Sequence, residues 1–584
     1  MGDTISLGGS IWNILPVDER LCTLMAETCN IPPLVARILC LRGVGIDDAE
    51  SFLHPKIQNL MPNPTVMKDM EKAAERIAAA VEKKEKVAII GDYDVDGATS
   101  TSVLTRFFRQ VGIEPLVHIP SREEGYGPSD LAFREFRDGG ASLVLTIDCG
   151  TTAFEVLNRA ATQFDVIVID HHEAEAVLPQ VYAVVNPKRL DDNNPYIYLQ
   201  YMSAVGVGFM VLVAVNRLLR QRGYYAKIPE PNLMNLLDLV ALGTVCDVVP
   251  LLGLNRAYVR QGLKVMAKLQ NTGLKQLMKV LNMQEAPSVY HLGYVIGPRI
   301  NACGRVGDAR LGSKLLCSEN EMEAQLLAEQ FNQFNVERKE IEGFVLLKAI
   351  EQVEGQPQEY PMAFVYGHDW HQGVIGIVAG KLKERYNVPS FVMSVENDEV
   401  KGSARSINGI DLGALIMSAK EQGVIIGGGG HIMAAGFSLK EEQIEDFRKF
   451  AGEYILARLG AEKILPVLNV DCVVHLSAVN ERLADELAML EPYGTGNAEP
   501  QVMVKNVAIT RAQIVGNGHV LCLLCSATGD KLSAIAFRAA DTQIGQAMLQ
   551  NNGEIYDIVG YVRCDNWQDK KRVQMIINDI MRKS

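Results

Sequence analysis

The sequence lacks the features that mark secreted, membrane-spanning and broadly polyanion-binding proteins. Its 11 cysteines in 584 residues follow no framework spacing, which suits a reducing compartment. The chain does not open with a charged stretch and an apolar core, and its longest apolar stretch, Gly206 to Val215, is too short to cross a bilayer. The formal net charge of −13 offers no overall positive field to nucleic acid or to an anionic membrane. We therefore expect a soluble, cytoplasmic protein without a membrane partner.

Several catalytic signatures are missing as well. The sequence contains no GxxxxGK[ST] phosphate loop, no HExxH metal motif and no GxSxG nucleophile elbow. The CxxC pair Cys522 and Cys525 lies within an apolar run and has no second pair, which favours the core of a strand over a zinc site. Well-packed hydrophobic cores are still expected, because 48% of the residues are hydrophobic. The length of the chain suits about three or four domains.

Alternation of strands and helices is the clearest positive pattern. From residue 87 onward, short apolar runs are separated by segments with helical spacing. The runs are Val87–Ile90, Pro115–Ile119, Leu143–Ile147 and Val166–Ile169. This alternation predicts an α/β domain with a parallel, doubly wound sheet.

Acidic residues and histidines follow three of these runs, and one more aspartate follows an amphipathic stretch that ends at Val245. Ligands of parallel α/β sheets bind at the carboxyl ends of the strands, so side chains at those ends should converge. The residues are Asp92, Asp94, Asp96, Asp148, Asp170, His171, His172 and Asp247. One such group alone would suit an acidic turn. Four groups together predict a divalent-metal site.

The residue types specify the chemistry of this site. Carboxylates and neutral imidazoles suit Mn²⁺ and, through the carboxylates, Mg²⁺. Six or seven such ligands exceed what one open ion needs, so we expect two ions. A pair of ions roughly 3.5–4 Å apart clamps an in-line phosphoryl displacement. The residues therefore predict hydrolysis of a phosphoester.

The order of these groups resembles the four motifs of the DHH phosphoesterase superfamily. The matching stretches are Asp92-Tyr93-Asp94-Val95-Asp96-Gly97, Asp148-Cys149-Gly150, Asp170-His171-His172 and Asp247. The resemblance implies two Mn²⁺ or Mg²⁺ ions held by Asp92, Asp94, Asp96, Asp148, His171, His172 and Asp247. Within that set it implies that Asp94 and Asp96 are ligands and that Asp148 bridges the ions.

The resemblance also implies catalytic roles around the histidines. His172 would either complete the second metal site or face the scissile phosphate, and Asp148 would act as both ligand and catalytic residue. Asp170 would orient an imidazole, as carboxylates beside metal-bound histidines commonly do.

A long polar helix and a second α/β pattern follow. The residues from Glu321 to Glu354 predict a spacer helix between two lobes. Beyond it lie a stretch with glycine, serine and arginine, Gly402–Ser406, and a glycine-rich stretch, Gly427–His431. Consecutive glycines could form an anion-binding nest or a flexible loop, and we favour the nest. These stretches resemble the DHHA1-type substrate-binding domain of the superfamily, which implies substrate contacts from Ser403, Arg405, Gly428, Gly429 and His431.

Strand-like runs dominate the last 120 residues. They are Val467–Val474, Gln501–Thr510, His519–Cys525, Lys531–Phe537 and Ile555–Val562. Five strands predict a small barrel of the oligonucleotide-binding (OB) type. Basic and aromatic residues near the end suit either binding of a DNA strand or a solvated hairpin. They are Arg563, Trp567, Lys570, Lys571 and Arg572.

Taken together, the parts resemble the RecJ-type exonuclease family over nearly the full length. The implied division is an N-terminal lead-in, a DHH domain, a helical connector, a DHHA1-type domain and an OB domain (residues 1–55, 56–250, 251–354, 355–460 and 461–584). The resemblance implies a two-metal exonuclease that degrades single-stranded DNA from the 5′ end to 5′-mononucleotides, in DNA repair and recombination. It implies a monomer, with a helicase and a single-strand-binding protein as candidate partners.

A pocket for the 5′-phosphate would explain such polarity. Arginine suits this task through bidentate contacts with phosphate oxygens. Candidates are Arg122, Arg299 or Arg305, and Ser403 with Arg405. Tyr126 could stack on a base or pack in the core, and a structural ion pair is an alternative for Arg299 and Arg305.

Other functions fit parts of the pattern. A short-oligonucleotide or cyclic-dinucleotide phosphodiesterase shares the metals and the glycine-rich domain but would normally lack the barrel. A manganese pyrophosphatase should be far shorter. A non-catalytic DNA-binding scaffold should have lost metal ligands, all of which are present here.

Overall fold

The structure, a computed structural model, describes residues 5–122, 124–355, 359–460, 465–550, 553–567 and 570–583; of residues 565–567, 570 and 571 it describes the backbone alone. The chain forms two compact units, each made of separated segments. The terminal unit consists of Met1–Met61, Val248–Arg260 and Leu465–Ser584. The central unit consists of Pro62–Asp247 and Gln261–Ile464. The five-part division given above stays a prediction.

The first segment is mainly helical. It contains β1 (Ile11–Ile14), α1 (Glu19–Cys29), α2 (Pro33–Leu41), α3 (Ile46–Leu53) and α4 (Ile57–Leu60). Asp18 caps α1 by accepting hydrogen bonds from the backbone N–H groups of Arg20 and Leu21. The apolar faces of α1 to α3 lie in the same core as the C-terminal barrel.

The central unit begins with an α/β segment of five strands. Its elements are α5 (Met70–Lys83), β2 (Val87–Ile90), α6 (Val95–Gln110), β3 (Leu116–His118), α7 (Asp130–Asp138), β4 (Leu143–Ile147), α8 (Phe154–Ala160), β5 (Asp165–Ile169), β6 (Ala183–Val185), α9 (Ala204–Gln221) and α10 (Leu237–Cys246). The parallel order is β3-β2-β4-β5-β6. The order reverses between β2 and β4, which is the point where such sheets bind ligands.

Helices cover both faces of this sheet, so the predicted doubly wound α/β fold is confirmed. Residues of α7 and α8 share one core with alternate residues of β2, β4 and β5. On the other face α9 lies so close to β4 that a Cβ on Gly208 would stand 2.8 Å from Ile147. The helix has the length and composition of a membrane span, but 72% of its most apolar 18-residue window is buried in the protein. It is a core helix of this domain.

A helical region leads to the longest helix. It comprises α11 (Gly253–Met266), α12 (Thr272–Val280), a π-helical turn at His291–Ile296, α13 (Gly297–Val306), α14 (Arg310–Cys317) and α15 (Glu321–Gly355). The 35 residues of α15 make it about 52 Å long. It packs against α12 and α13 at one end and against α16 (Gln372–Tyr386) towards the other, as expected of a spacer.

A mixed sheet completes the central unit. Its elements are β7 (Ala363–His368), α16, β8 (Ser390–Glu396), β9 (Glu399–Arg405), α17 (Leu412–Glu421), β10 (Gly427–His431), β11 (Ala434–Lys440) and α18 (Ile444–Leu459), with strand order β10-β11-β9-β8-β7. Residues of α17 and α18 pack on one face and those of α15 and α16 on the other.

The last segment forms a closed barrel. Its elements are β12 (Val467–Val470), β13 (Cys472–Val474), α19 (Glu481–Ala488), β14 (Val502–Val515), β15 (His519–Ser526), β16 (Lys531–Ala536), α20 (Gln543–Gln550), β17 (Ile555–Trp567) and β18 (Lys570–Arg582). The order β14-β15-β16-β18-β17 closes because β14 also pairs with β17. The predicted five-stranded barrel is confirmed. Its fifth strand, however, is β18, whereas the run Val467–Val474 divides into β12 and β13 outside the barrel.

All eleven cysteines are free thiols, which fits the absence of a disulfide framework in the sequence. Cys522 and Cys525 lie on β15.

Candidate active site

Four groups of side chains meet at the carboxyl edge of the parallel sheet. The acidic run follows β2, Asp148 follows β4 directly, the Asp-His-His triplet follows β5, and Asp247 ends α10. Three sets of ligand atoms in this cluster lie within 4.8 Å of one another. The sets are Asp92, Asp94 and Asp148; Asp96, His171 and Asp247; and Asp148, His171 and His172.

His171 stands at the middle of the cluster. Its Nε2 atom lies 3.2 Å from Asp148 and 4.0 Å from Asp96, and its Nδ1 atom lies 3.5 Å from Asp247. Among the described residues, neither ring nitrogen has a hydrogen-bond partner, and the same holds for Oδ1 of Asp92 and Oδ2 of Asp247. Buried polar atoms without partners are costly unless a ligand satisfies them. Their donor set of carboxylate oxygens and imidazole nitrogens fits Mn²⁺ or Mg²⁺.

Electrostatics supports the same assignment. Burial, together with the charge of Asp94, raises the pKa of Asp92 to about 8 and that of Asp96 to about 7. Burial and the neighbouring carboxylates also hold the pKa values of Asp148 and Asp247 well above the ordinary range. Several carboxylates cannot all ionise here without added positive charge, and divalent cations supply it.

The histidines of the triplet differ in their protonation. Burial and the charge of His172 lower the pKa of His171 to about 3, so its ring is neutral and suited to bind a metal. Burial opposes a charge on His172 too, but its hydrogen bond to Asp170 outweighs this and raises the pKa. His172 is half-exposed, and its Nδ1 atom lies 2.8 Å from Asp170.

The buried Asp170 carboxylate holds the backbone of the Asp-His-His loop in place. Its carboxylate accepts hydrogen bonds from the backbone N–H groups of Thr151, His171 and His172. Burial alone would raise its pKa, but the contacts with His172 hold the pKa below the usual range. Asn186, which sequence reasoning missed, adds a hydrogen bond from its Nδ2 atom to the His172 carbonyl. Its position directly after β6, another strand end on the same edge, is the signal that could have identified it.

Backbone geometry fixes the other carboxylates. Asp148 has a left-handed φ of 64°, a strained conformation for a residue that is not glycine and common at functional sites. Asp94 caps α6 by accepting from Gly97 N–H. Asp96 accepts from the N–H groups of Ala204 and Val205 at the start of α9.

The last contact replaces the usual side-chain cap of α9. Ser203 occupies the N-cap position of α9, but its side chain makes no capping hydrogen bond. The Asp96 carboxylate takes that role from another helix, because an anion fits the exposed N–H groups and the positive end of the helix dipole.

Three arginines form a second cluster beside the carboxylates. Arg122 donates to the Gly304 carbonyl at 2.7 Å, and its guanidinium lies 4.2 Å from the centre of the Tyr93 ring. Arg305 donates to Gly373, and burial with the charges of Arg122, Arg338 and Arg405 lowers its pKa to about 10.

Ser403 completes this arginine cluster. Arg405 donates to the Ser403 hydroxyl at 3.2 Å, and a Cβ on Gly376 would lie 3.1 Å from that oxygen. Among the described residues, no carboxylate lies within ion-pair distance of Arg122, Arg305 or Arg405. Mutually repelling guanidinium groups without a close ion-pair partner favour the binding of an anion.

Arg299 points elsewhere. It donates to Val295 at 2.7 Å and to Asn332 on α15 at 3.4 Å. The structure therefore separates the two sequence candidates and brings Arg305 alone to the arginine cluster.

Tyr126 lies at the metal cluster. Its hydroxyl donates to the Asp148 carbonyl at 2.8 Å and lies 3.2 Å from His172 Nδ1. Its ring makes edge contacts with Tyr93 and His172, and the residue as a whole is 51% exposed. Core packing is thereby excluded, and the ring is accessible to a base.

The glycine run forms a regular edge strand, so the predicted nest is wrong. Residues 427–431 pair with β11 in extended conformation, and none of these glycines has a positive φ. Close packing explains two of them, since a Cβ on Gly428 would stand 2.8 Å from Ile416 and one on Gly430 would stand 2.5 Å from the Ala434 carbonyl. Among the described residues, no hydrogen bond or ion pair joins Gly428, Gly429 or His431 to the metal cluster.

The basic candidates of the barrel are only partly described. Arg563 pairs with Glu499 at 2.7 Å, and Arg572 is exposed. The side chains of Trp567, Lys570 and Lys571 lie outside the described residues.

Comparisons with known proteins agree over the whole chain. Family models match three regions: the N-terminal domain of the DHH family at residues 86–244, the DHHA1 domain at 359–457 and the RecJ OB domain at 470–579. The single-stranded-DNA-specific exonuclease RecJ of Bacillus subtilis is 34% identical over 97% of this chain and 70% of that protein. RecJ of Escherichia coli K12 is 31% identical over 94% of this chain and 96% of that protein.

A solved structure gives the same result. The crystal structure of Thermus thermophilus RecJ in complex with Mn²⁺ matches with a TM-score of 0.82 at 25% identity. The match covers 100% of this chain and 80% of that chain. A second structure of the Thermus protein, in complex with Mg²⁺, has the same fold with a TM-score of 0.76 at 24% identity.

Proposed function

The chain belongs to the RecJ family of single-stranded-DNA-specific exonucleases, and from this premise we propose that it removes mononucleotides from the 5′ end of single-stranded DNA. It is a metal-dependent nuclease whose cofactor is Mn²⁺ or Mg²⁺. A phosphodiesterase for short oligonucleotides is not favoured, because the RecJ OB domain occupies residues 470–579.

One observation carries the proposal. Buried carboxylates with raised pKa values surround a neutral His171 on the edge of the sheet, and beside them lies a cluster of arginines that has no carboxylate within ion-pair distance in the described part of the chain. The first group fits cations and the second fits an anion. A phosphorylated DNA end that lies across both satisfies each of them.

The ligand sets suggest how two ions would be held. Asp92, Asp94 and Asp148 would hold one, and Asp96, His171 and Asp247 would hold the other, with Asp148 close enough to His171 to serve both. When bound, the ions polarise the phosphoryl group and lower the pKa of the attacking water.

The remaining residues orient the substrate. Asp170 fixes the ring of His172 through Nδ1, and the Nε2 atom, which lies 3.4 Å from the Tyr126 hydroxyl, would face the scissile phosphate. The Tyr126 hydroxyl holds the Asp148 main chain, and the exposed Tyr126 ring can stack on the terminal base. Arg122, Arg305, Arg405 and Ser403 would bind the 5′-phosphate and so set the polarity.

We further propose that the enzyme acts in the cytoplasm as a monomer, in DNA repair and recombination. A helicase would supply it with single strands, and a single-strand-binding protein would contact it.

End-labelled single-stranded, duplex and short substrates with Mn²⁺ or Mg²⁺ test the proposal. We expect mononucleotides from the 5′ end of single strands, and an activity at least about 10²-fold lower in Asp148→Ala because a metal ligand is lost. Preferential release from the 3′ end would overturn the polarity, and an active Asp148→Ala would overturn the site.

A matched pair on α13 tests the 5′-phosphate pocket. Arg305→Ala should raise KM for a 5′-phosphorylated strand more than it lowers kcat, whereas Arg299→Ala should not, because Arg299 contacts α15 instead. Equal effects of the two variants would argue against the pocket.

A further inference from the structure

The order of the strands places charged groups in a line along the edge of the sheet. Across β3-β2-β4-β5-β6, Arg122 lies in the loop after β3, the metal cluster occupies the ends of β2, β4 and β5, and Lys188 lies just after β6. Neighbouring strands are about 4.8 Å apart, so the outer two are about 19 Å apart. A cation therefore stands on each side of the carboxylates.

Lys188 is tied to the Asp-His-His loop through its backbone. Its N–H donates to Asn186 Oδ1 at 2.8 Å, and Asn186 donates from Nδ2 to the His172 carbonyl at 2.9 Å. Its Nζ atom lies 3.1 Å from Glu173, the residue that follows the triplet. These contacts keep the base of the lysine side chain at a fixed place beside the cluster.

The ammonium group is held only loosely by this partner. The Glu173 side chain is 66% exposed and that of Lys188 is 27% exposed, and ion pairs of this kind contribute little to stability. The ammonium group nevertheless lies beside the metal cluster, because its partner Glu173 directly follows His172 in the chain.

We propose that Lys188 binds the first phosphate on the 3′ side of the scissile phosphate. This inference rests on the proposed function: the terminal phosphate occupies the arginine cluster beyond β2, and the hydrolysed phosphate lies on the metal cluster. The DNA strand then continues towards β6, where Lys188 lies beside the Asp-His-His loop, whereas its neighbour Arg189 is buried and paired with Asp69 and Asp191. A flexible ammonium suits this contact, because it binds phosphate as a point charge and tolerates the movement of a DNA strand that advances after each cut.

Two short substrates test the phosphate assigned to Lys188 separately from the terminal and the scissile phosphate. A 5′-phosphorylated thymidine dinucleotide contains only the terminal and the scissile phosphate, whereas the trinucleotide adds the phosphate assigned to Lys188. With Mn²⁺, Lys188→Ala should raise KM about tenfold for the trinucleotide, the effect of one charge-assisted contact, and leave the dinucleotide unchanged. Lys188→Arg should restore most of the loss.

A neutral linkage gives a second readout. A methylphosphonate at the third phosphate of the trinucleotide should raise KM for the wild type and for Lys275→Ala, a control lysine paired with Glu321 at 2.7 Å. In Lys188→Ala the methylphosphonate should cause no further rise in KM, because the cation that binds the charged phosphate has been removed. In Glu173→Gln the methylphosphonate should still raise KM, because this substitution removes the ion-pair partner of the Lys188 ammonium group and leaves the ammonium group in place.

The outcomes distinguish this inference from the proposed function. If Lys188→Ala raises KM equally for both substrates, or if the methylphosphonate effect persists in that variant, the assignment is wrong while the exonuclease stands. If the wild type degrades no single-stranded DNA with Mn²⁺, long or short, the proposed function fails and this inference fails with it.

Discussion

Metal binding to this enzyme should release protons, and their number follows from the carboxylate cluster. In the metal-free protein the pKa values of Asp92 and Asp96 are about 8 and about 7. At pH 6 these groups are about 99% and about 90% protonated. A cation must displace these protons, so Mn²⁺ binding at pH 6 should release at least about two. His171, with a pKa of about 3, is already neutral and releases none.

The expected size of the effect is large. Each proton released changes the affinity tenfold per pH unit, so two protons change it about a hundredfold, or about 2.7 kcal/mol per pH unit, below about pH 6. Above pH 8, the affinity for Mn²⁺ should depend little on the titration of Asp92 and Asp96. Asp148 and Asp247, whose pKa values are also raised, can only add to the count.

Isothermal titration calorimetry in two buffers with different ionisation enthalpies counts the protons directly. The count should fall by about one in Asp92→Asn, because an amide carries no titratable proton, and should be unchanged in the surface control Asp138→Asn. Release of fewer than one proton at pH 6, or an undiminished count in Asp92→Asn, would refute the reasoning.

The same groups set the stability of the metal-free protein. Their pKa values are higher in the folded state than in the unfolded state, where a carboxyl titrates near pH 4. Between about pH 4 and pH 8 the folded protein therefore holds more protons, and its stability should fall as the pH rises. Mn²⁺ should raise Tm more at pH 8 than at pH 6, since it replaces the missing protons.

Three further predictions concern particular side chains. Tyr126→Phe keeps the ring but removes the hydroxyl that holds the main chain of the metal cluster, so kcat should fall about tenfold with little change in KM, measured by steady-state kinetics. Gly430→Ala should destabilise the protein by about 1–3 kcal/mol in denaturant unfolding, because its Cβ would meet the Ala434 carbonyl. Gly429→Ala should be neutral in that assay, since the space beside it is open. The buried Arg256 donates to four backbone carbonyls, so Arg256→Met should cost at least about 3 kcal/mol in the same measurement.

The strand pattern made much of the central unit predictable. Val87–Ile90 and Leu143–Ile147 form β2 and β4 with the expected bounds, because continuous apolar runs indicate strands buried on both faces. The side chains after them meet for the same reason, since a parallel sheet collects its carboxyl ends at one edge. The short strand Ala183–Val185 escaped notice, and with it Asn186 and Lys188.

Contacts between distant segments could not be predicted in the same way. That Asp96 caps α9 depends on how two helices cross, which no local pattern encodes. The four glycines looked like a loop because glycine is a poor strand former, yet pairing with β11 and close packing impose a strand. Arg299 and Arg305 lie on one short helix, and only its orientation shows which of them reaches the anion site.

The terminal unit has a consequence for biosynthesis. Leu39 on α2 and Leu487 on α19 belong to one core, although 448 positions separate them in the sequence (487 − 39). At roughly 5–20 residues per second, a ribosome needs roughly 20–90 s to make the second partner after the first. During that interval the apolar faces of α1 to α3 have no native surface to cover them, while the central unit is being completed. The nascent chain should therefore need protection at its N-terminal end, and a stop codon before the barrel would leave those helices permanently uncovered.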